Sequence, residues 1–425
     1  MNHSVEEIRL KSGAKGLLID VPGATTMSMQ FQFRAGNRYV KSKEIEQVAH
    51  IMEHMAFGAN SKYNSDEFEF EFTKNGAYRN AWTSDLSMVY DADCADFEWD
   101  RILDLQRLAI CQPKFSEVEL NSEKGNIRSE LTNYLNDHQR ILWPKVQQLL
   151  GEDVYTYRQS LSTISAVTLS DVREHHRRTH TMANMRFVIA GKLAGRKAEI
   201  KRQIESFDLP IGTRFEVPHD ILQKANPALI RRKDATNLTF GLTMAITREL
   251  NDEELDAMRY LNHILTGTMH SRIFGKARKK GLAYNISAYA DAGFYDSTWD
   301  ITGQVNHESA DELFDIITRE LKNVLNGKIS DDEIEAAKSF ALGRYQMGAQ
   351  TVSQISSFYT GRYFADDFIK NYDKVPEMIK KVTLKRMVDT AKCFIDENKW
   401  VLAAVSSGER QEIVDLSDKL SKLFD

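Results

Sequence analysis

Cysteine is scarce. Three residues, Cys94, Cys111 and Cys393, stand far apart in a 425-residue chain, with no Cys-x-x-Cys among them. That argues against a disulfide framework and against a thiolate metal site, and it suits a reducing, cytoplasmic setting. Each is expected to serve as a small buried hydrophobe. No apolar run approaches the length of a membrane span. The opening Met1-Asn2-His3-Ser4-Val5-Glu6-Glu7 has no basic segment followed by an apolar one, so no secretory signal is expected. Strong charge of either sign is also missing. With 56 basic and 61 acidic residues the net charge is −5, which gives no reason to propose nucleic acid or an anionic membrane as partner. Prolines number only seven, and three of them fall within Phe207–Pro227, the best candidate for a linker.

What the chain does have is core material: 42% hydrophobic residues against 28% charged, over a length that calls for two or more domains. The most informative stretch is His50-Ile51-Met52-Glu53-His54. It lies in a run from Ile45 to Phe57 that reads as a helix, with Ile45, Val48, Met52 and Met55 at apolar spacing and Gly58 as a stop. His50 and His54 are one turn apart on one face, near enough for both imidazoles to hold one metal ion. Glu53 borders that face and can reach a water on the metal without being a ligand. Random placement of 11 His and 61 acidic residues would produce this pattern about 0.04 times per chain, so two unrelated helix histidines beside a solvated glutamate are the poorer reading. The order His-x-x-Glu-His is the inverted form of the zincin motif.

Around it the first half reads as strands at Gly16–Val21 and Met27–Phe33, a helix at Ser65–Asn75 with Ser65 as its cap, and paired strands at Gly76–Ser84 and Ser87–Ala92. Further on come a helix at Asp96–Ala109, a long helix at Ser116–Asn136, a loop with a short helix at Leu149–Thr168, a helix at Leu169–His180 and a strand at Met185–Gly191. The long helix carries Glu123 and Glu130 on one stripe, and either could complete a metal site that needs a carboxylate or a third His. His175, His176 and His180 sit among Arg173, Arg177 and Arg178 and read as a basic, solvated face.

The second half repeats the first. Ile329–Ile334 matches Phe115–Leu120, Val382-Thr383-Leu384 matches Val167-Thr168-Leu169, and Leu238–Met244 stands where Met27–Phe33 stood. The fold expected is α+β: a tandem duplication of one α/β domain, each copy a mixed, mostly antiparallel sheet packed by helices. The boundaries expected are 1–206, a linker at 207–227, and 228–425. The copies differ at the motif. Glu123 and Glu130 align with Ala337 and Arg344, and His50 and Glu53 with Arg259 and Asn262, while His54 meets His263. Only the first half is equipped for metal.

With His50–His54, Asn80-Ala81-Trp82-Thr83, Glu123, Glu130, Ser271-Arg272-Ile273-Phe274 and Gly281-Leu282-Ala283-Tyr284 in hand, the chain resembles the M16 metallopeptidases over nearly its full length. That family includes pitrilysin, insulin-degrading enzyme and the mitochondrial processing peptidases, and the match is to its short, two-domain members. The resemblance implies one zinc ion per chain on His50, His54 and Glu130, with Glu53 as general base and Glu123 standing behind the ligands. It also implies that Asn80, Ala81, Trp82 and Thr83 form the edge on which a peptide lies as an added strand. In the family an Arg and the Tyr of the second-half motif touch substrate; here the usual Arg position holds Ala277, so Arg278 and Tyr284 are the candidates. Short members pair, so a homodimer or a heterodimer with a metal-free homologue is expected around peptide substrates. The activity expected is zinc-dependent endopeptidase cleavage of extended or unfolded peptides. The alternatives are a non-catalytic scaffold subunit and a leader-peptide processing protease working with a homologous partner.

Overall fold

The computed structural model describes residues 2–424. In the first half, β1 (Ser4–Arg9), β2 (Lys15–Asp20) and β3 (Thr26–Phe33) lead to α1 (Val48–Ala56) and α2 (Ser65–Thr73). The hairpin β4 (Tyr78–Thr83) and β5 (Met88–Ala95) is followed by α3 (Trp99–Cys111), α4 (Glu117–Tyr134), α5 (His138–Leu150), α6 (Tyr157–Thr163) and α7 (Leu169–Thr179). β6 (Met185–Gly191) and α8 (Lys197–Glu205) complete it, and no regular element lies between α8 and the next strand. The second half runs β7 (Ala228–Arg231), β8 (Leu238–Ile246), α9 (Asp252–Thr266), α10 (Phe274–Lys279), β9 (Ile286–Ala292) and β10 (Ser297–Val305). It ends with α11 (His307–Leu325), α12 (Asp331–Met347), α13 (Val352–Asp366), α14 (Val375–Lys381), α15 (Leu384–Asp396), β11 (Lys399–Ser406) and α16 (Arg410–Ser421).

The duplication is written in the sheets. The first has the order β1-β2-β6-β3-β5-β4 and the second β7-β11-β8-β10-β9. Leaving aside β1, both are antiparallel throughout except for one parallel pair in the same place, β2 with β6 and β7 with β11. Each sheet ends on an edge strand from its hairpin, β4 or β9.

The compact units are not the two contiguous stretches that the sequence repeat suggests. One comprises residues up to Asn133, Arg158–Pro218 and Met347–Tyr372; the other comprises Tyr134–Tyr157, His219–Gln346 and the residues from Asp373 onward. Thus α13, from the second half of the sequence, covers one face of the first sheet. Its Ile355, Tyr359 and Tyr363 pack with Leu17, Ile19, Val188 and Ala190. Reciprocally, α5 belongs to the second unit, where Leu142, Val146 and Leu150 meet Ala245, Val401 and Ala403. Every residue of β6 is buried, in keeping with its apolar stretch Phe187–Ala190.

The end of α13 is fastened electrostatically. Asp367 closes the helix in the left-handed conformation, φ 62°. Arg186 donates to both its carboxylate oxygens, Nε at 2.5 Å and Nη2 at 3.0 Å, and Lys15 adds a bond of 3.0 Å. Arg34 donates to the Ala365 carbonyl and Arg214 to that of Phe364. These cations satisfy carbonyls that a helix end leaves without partners, and they oppose its negative pole.

Two expectations are corrected here. Asn64, not Ser65, caps α2, in a reciprocal box with Glu67. The histidines of α7 are not a solvated face: His175 and His180 are buried. Each ring finds a neutral partner at 2.8 Å, His175 Nε2 on the Ala35 carbonyl, His176 Nε2 on that of Ile110 and His180 Nε2 on the Tyr90 hydroxyl. Arg173 and Arg178 reach backbone carbonyls, of Phe115 and Tyr39, although Arg173, like Arg177, stays exposed. α7 in turn packs against α1. Burial pushes the His175 pKa down to about 4.

Two measurements follow from this packing. Asn tolerates the left-handed position, so Asp367→Asn removes charge with little strain and strands buried Arg186. It is expected to lower unfolding stability by about 3 kcal/mol in urea titrations. His175 is neutral when folded and titrates near 6.5 when unfolded, so its contribution is intact above about pH 6.5 and is lost as pH falls toward 4. Between pH 8 and pH 5 this group alone should cost about 2 kcal/mol, and His175→Gln should flatten that part of the stability profile.

Candidate metal centre

α1 starts at Val48, later than the apolar spacing suggests, because Lys43–Ile45 forms a short 3-10 turn capped by Ser42. Its inner face, Val48, Ile51, Met52 and Met55, is buried. The outer face presents His50, Glu53 and His54. The end of α1 is tied to α4 through Glu119, whose Oε1 accepts from the Ala59 N–H at 3.0 Å and the Ser65 hydroxyl at 2.9 Å. That oxygen would sit 2.9 Å from a Cβ on Gly58, so a larger residue there would push the Glu119 carboxylate aside. On α4, Glu123 and Glu130 flank buried Ile127 on the stripe that faces α1.

The three expected ligands converge. His50 Nε2 lies 3.7 Å and His54 Nε2 3.5 Å from the same oxygen, Glu130 Oε2. The rings are 4.8 Å apart and nearly perpendicular, at 81°. A tetrahedral ion with bonds of 2.0–2.1 Å needs donors about 3.3 Å apart, so both histidine–carboxylate separations fit zinc with a few tenths of an ångström of closure, and all three donor atoms lie within 4.8 Å of one another. Behind the ligands, His54 Nδ1 is 2.9 Å from Glu123 Oε2, which also accepts from Asn126 at 3.0 Å. His50 Nδ1 is 2.9 Å from Gln47 Oε1. Both outer nitrogens are thus occupied and both Nε2 atoms face the ligand point. Among the described residues, this is the one group of three or more His, Cys, Asp or Glu placed to hold a metal.

The electrostatics separate the two imidazoles. Burial pushes His50 down to about 4, with the neighbouring His54 adding to the shift. Burial also opposes charge on His54, but Glu130, Glu53 and Glu123 outweigh it and raise that group to about 9. Glu53 is raised to about 7 by burial, with His54 and the Thr83 hydroxyl pulling the other way. A carboxyl group balanced near neutrality is suited to accepting and returning a proton. Beside it a cleft of about 360 Å³ is lined by Glu53, His54, Met55, Phe57, Arg79, Asn80 and Ala81 among others.

β4 carries the remaining first-half candidates. It is an edge strand, its outer side unpaired within the sheet, with Asn80 and Trp82 exposed on one face and Ala81 and Thr83 half-buried on the other. In the second unit Ala277 is fully buried, whereas Arg278 is exposed and lies over the Tyr284 ring at 4.3 Å. The arginine is therefore delivered beside the tyrosine despite its one-residue displacement. The second-half counterpart of the motif holds no ligand set. His263 stacks on Phe340 at 4.0 Å, Asn262 accepts from Trp299, and Arg259 pairs with Asp256. Sequence reasoning missed Glu46, Gln47, Glu119 and Asn126. Of these, Gln47 had a signal, since it stands three residues before His50 on the same helical stripe.

Known proteins resemble this chain in sequence and in fold. Curated relatives include an uncharacterized zinc protease of Rickettsia felis, 22% identical over 390 residues and covering 90% of this chain and 93% of that protein. An uncharacterized zinc protease of Bacillus subtilis is 22% identical over 418 residues, covering 95% and 98%. The beta subunit of the human mitochondrial-processing peptidase is 26% identical over 181 residues, 41% of this chain and 37% of that one. Among solved structures, a protease from Helicobacter pylori shares the fold with a TM-score of 0.85 at 16% identity, covering 95% of this chain and 100% of the other. A structure described as the peptidase M16 inactive domain from Pseudomonas fluorescens gives 0.82 at 17%, covering 96% and 99%. Residues 17–162 match the family model described as insulinase, peptidase family M16, and residues 166–340 match that of the peptidase M16 inactive domain. Two models of one family, following each other along the chain, with His50, Glu53, His54 and Glu130 all inside the first, establish that this protein belongs to peptidase family M16.

Proposed function

We propose that this chain is a zinc-dependent endopeptidase that cleaves extended or unfolded peptides. The observation that carries the reading is the convergence of His50 Nε2 and His54 Nε2 on Glu130 Oε2, with both Nδ1 atoms held from behind. His50, His54 and Glu130 would hold one zinc ion per chain. Bound there, the ion supplies Lewis acidity, which makes water a nucleophile at neutral pH and stabilises negative charge on the reacting carbonyl. The chain's own residues do the rest. Glu53 takes the proton from water on a carboxylate oxygen and returns it to the departing amine. The β4 edge at Asn80–Thr83 receives the substrate backbone as an added strand, so recognition rests on main-chain hydrogen bonds and favours segments without folded structure. Exposed Trp82 offers an aromatic surface to substrate side chains, and the Arg278–Tyr284 pair is a second contact for the peptide. One relative is by name a subunit, which supports a working form with a second copy of this chain or with a homologue.

The test combines metal content with turnover. Full-length protein assayed against a mixture of unstructured peptides should contain one zinc per chain and cleave them. Glu53→Gln should keep the zinc and lose turnover by about 10²–10⁴-fold, the usual contribution of a positioned acid–base group. Zinc-loaded wild type, supplied with its partner if it has one, that leaves every peptide intact would overturn the peptidase reading.

A further inference from the structure

The two imidazoles are supported from behind by different chemistry. On His54 the nitrogen turned away from the ligand point meets a carboxylate, Glu123. On His50 it meets an amide, Gln47, at 2.9 Å. An ionised carboxylate only accepts hydrogen bonds, so it fixes the proton on the ring nitrogen facing it. An amide has an accepting end and a donating end, and a flip exchanges them. Were the NH₂ of Gln47 turned to His50, Nδ1 would have to accept and the ring proton would reside on Nε2. The nitrogen facing Glu130 would then have no lone pair to offer.

Glu46 decides between these orientations. Its Oε2 lies 2.8 Å from Gln47 Nε2, and a carboxylate there accepts from the NH₂ end alone. Oε1 is thereby committed to His50, and His50 to donating from Nδ1. Both residues are buried, Glu46 at 4% exposure and Gln47 at 3%, so bulk water is not at hand to replace either bond. Both are also anchored by α6: the Gln47 N–H donates to Thr163 Oγ1 at 3.3 Å, and the Ser160 hydroxyl bonds to Glu46.

We infer that Gln47, oriented by Glu46, is a positioning residue of the metal centre: it holds His50 in the Nδ1–H tautomer and so keeps Nε2 as the ligand nitrogen. The inference rests on the zinc-peptidase reading of the site, and it can be tested separately from it. Gln47→Leu keeps the side chain's approximate size and removes the acceptor. Its zinc affinity, measured by competition with a chromogenic chelator, should fall about 10–100-fold, as when such outer partners are removed from other metal sites. The double variant Glu46→Gln/Gln47→Glu exchanges donor and acceptor so that a carboxylate now faces His50 Nδ1, and it should bind zinc within a few-fold of wild type. Long-range ¹H–¹⁵N spectra at pH 8 without metal should show His50 of the wild type as the Nδ1–H tautomer and His50 of Gln47→Leu as a mixture. Wild-type zinc affinity together with an unchanged tautomer in Gln47→Leu overturns the positioning role. So does an Nε2–H tautomer in the wild type, which needs no folded variant to detect. Wild-type protein that shows the Nδ1–H tautomer yet binds no zinc supports Gln47's hold on the ring and overturns the metal-centre reading instead.

Discussion

Everything at the candidate site depends on α1 satisfying two surfaces at once. A nine-residue helix buries one side against the sheet and α7, and its other side must meet the Glu123–Glu130 stripe of α4 at ligand distance. Helical periodicity separates the two tasks: Val48, Ile51, Met52 and Met55 turn inward, His50, Glu53 and His54 outward. The apolar face is the stronger constraint. Burying four such side chains is worth several kcal/mol, far more than any single hydrogen bond on the outer face. Packing therefore sets where the helix lies, and the polar contacts tune which atoms face one another. Gly58 and Glu119 then draw the helix end close to α4.

Much of this was legible in the sequence, for reasons that are local. The inverted motif is visible because His50, Glu53 and His54, the candidate ligands and base, lie within one turn and a half of helix. The duplication is visible because α4 and α12 begin with the same pattern of a cap, acids and an apolar residue, Ser116–Leu120 and Ser330–Ile334. What escaped was non-local. The α7 histidines look solvated among arginines, and nothing nearby in sequence says that their partners are the carbonyls of Ala35 and Ile110. The helix α5, with Pro144 inside it, left no clear signal. The role of Gln47 depends on an amide's orientation, which no spacing rule encodes.

The two units have diverged in opposite directions from one topology. In the first, α1 spends its outer face on two histidines that converge on Glu130 and on a glutamate whose pKa burial raises to about 7. In the second, the same positions of α9 are spent on stability: Asn262 accepts from the buried Trp299, and His263 stacks on Phe340. A buried carboxylate whose proton affinity is raised by desolvation is a cost to folding, and α1 carries one in Glu53 where α9 has the neutral Asn262. α9 lies within residues 166–340, which match the inactive-domain model.

The exchange of α5 and α13 bears on how the molecule is made. Ile355, Tyr359 and Tyr363 of α13 contribute on the order of 1.5–3 kcal/mol apiece to the first sheet, together comparable with the whole stability of a typical domain. During synthesis that sheet waits for its cover until residues near 366 have left the ribosome, about 175 residues after its last strand. At roughly 5–20 residues per second the delay is on the order of ten seconds or more. For that interval one apolar face of the unit that carries the candidate metal centre is exposed to water and to other nascent chains. An uncovered apolar face of that kind is open to aggregation and to chaperones, and neither half of the sequence supplies all the segments of one unit.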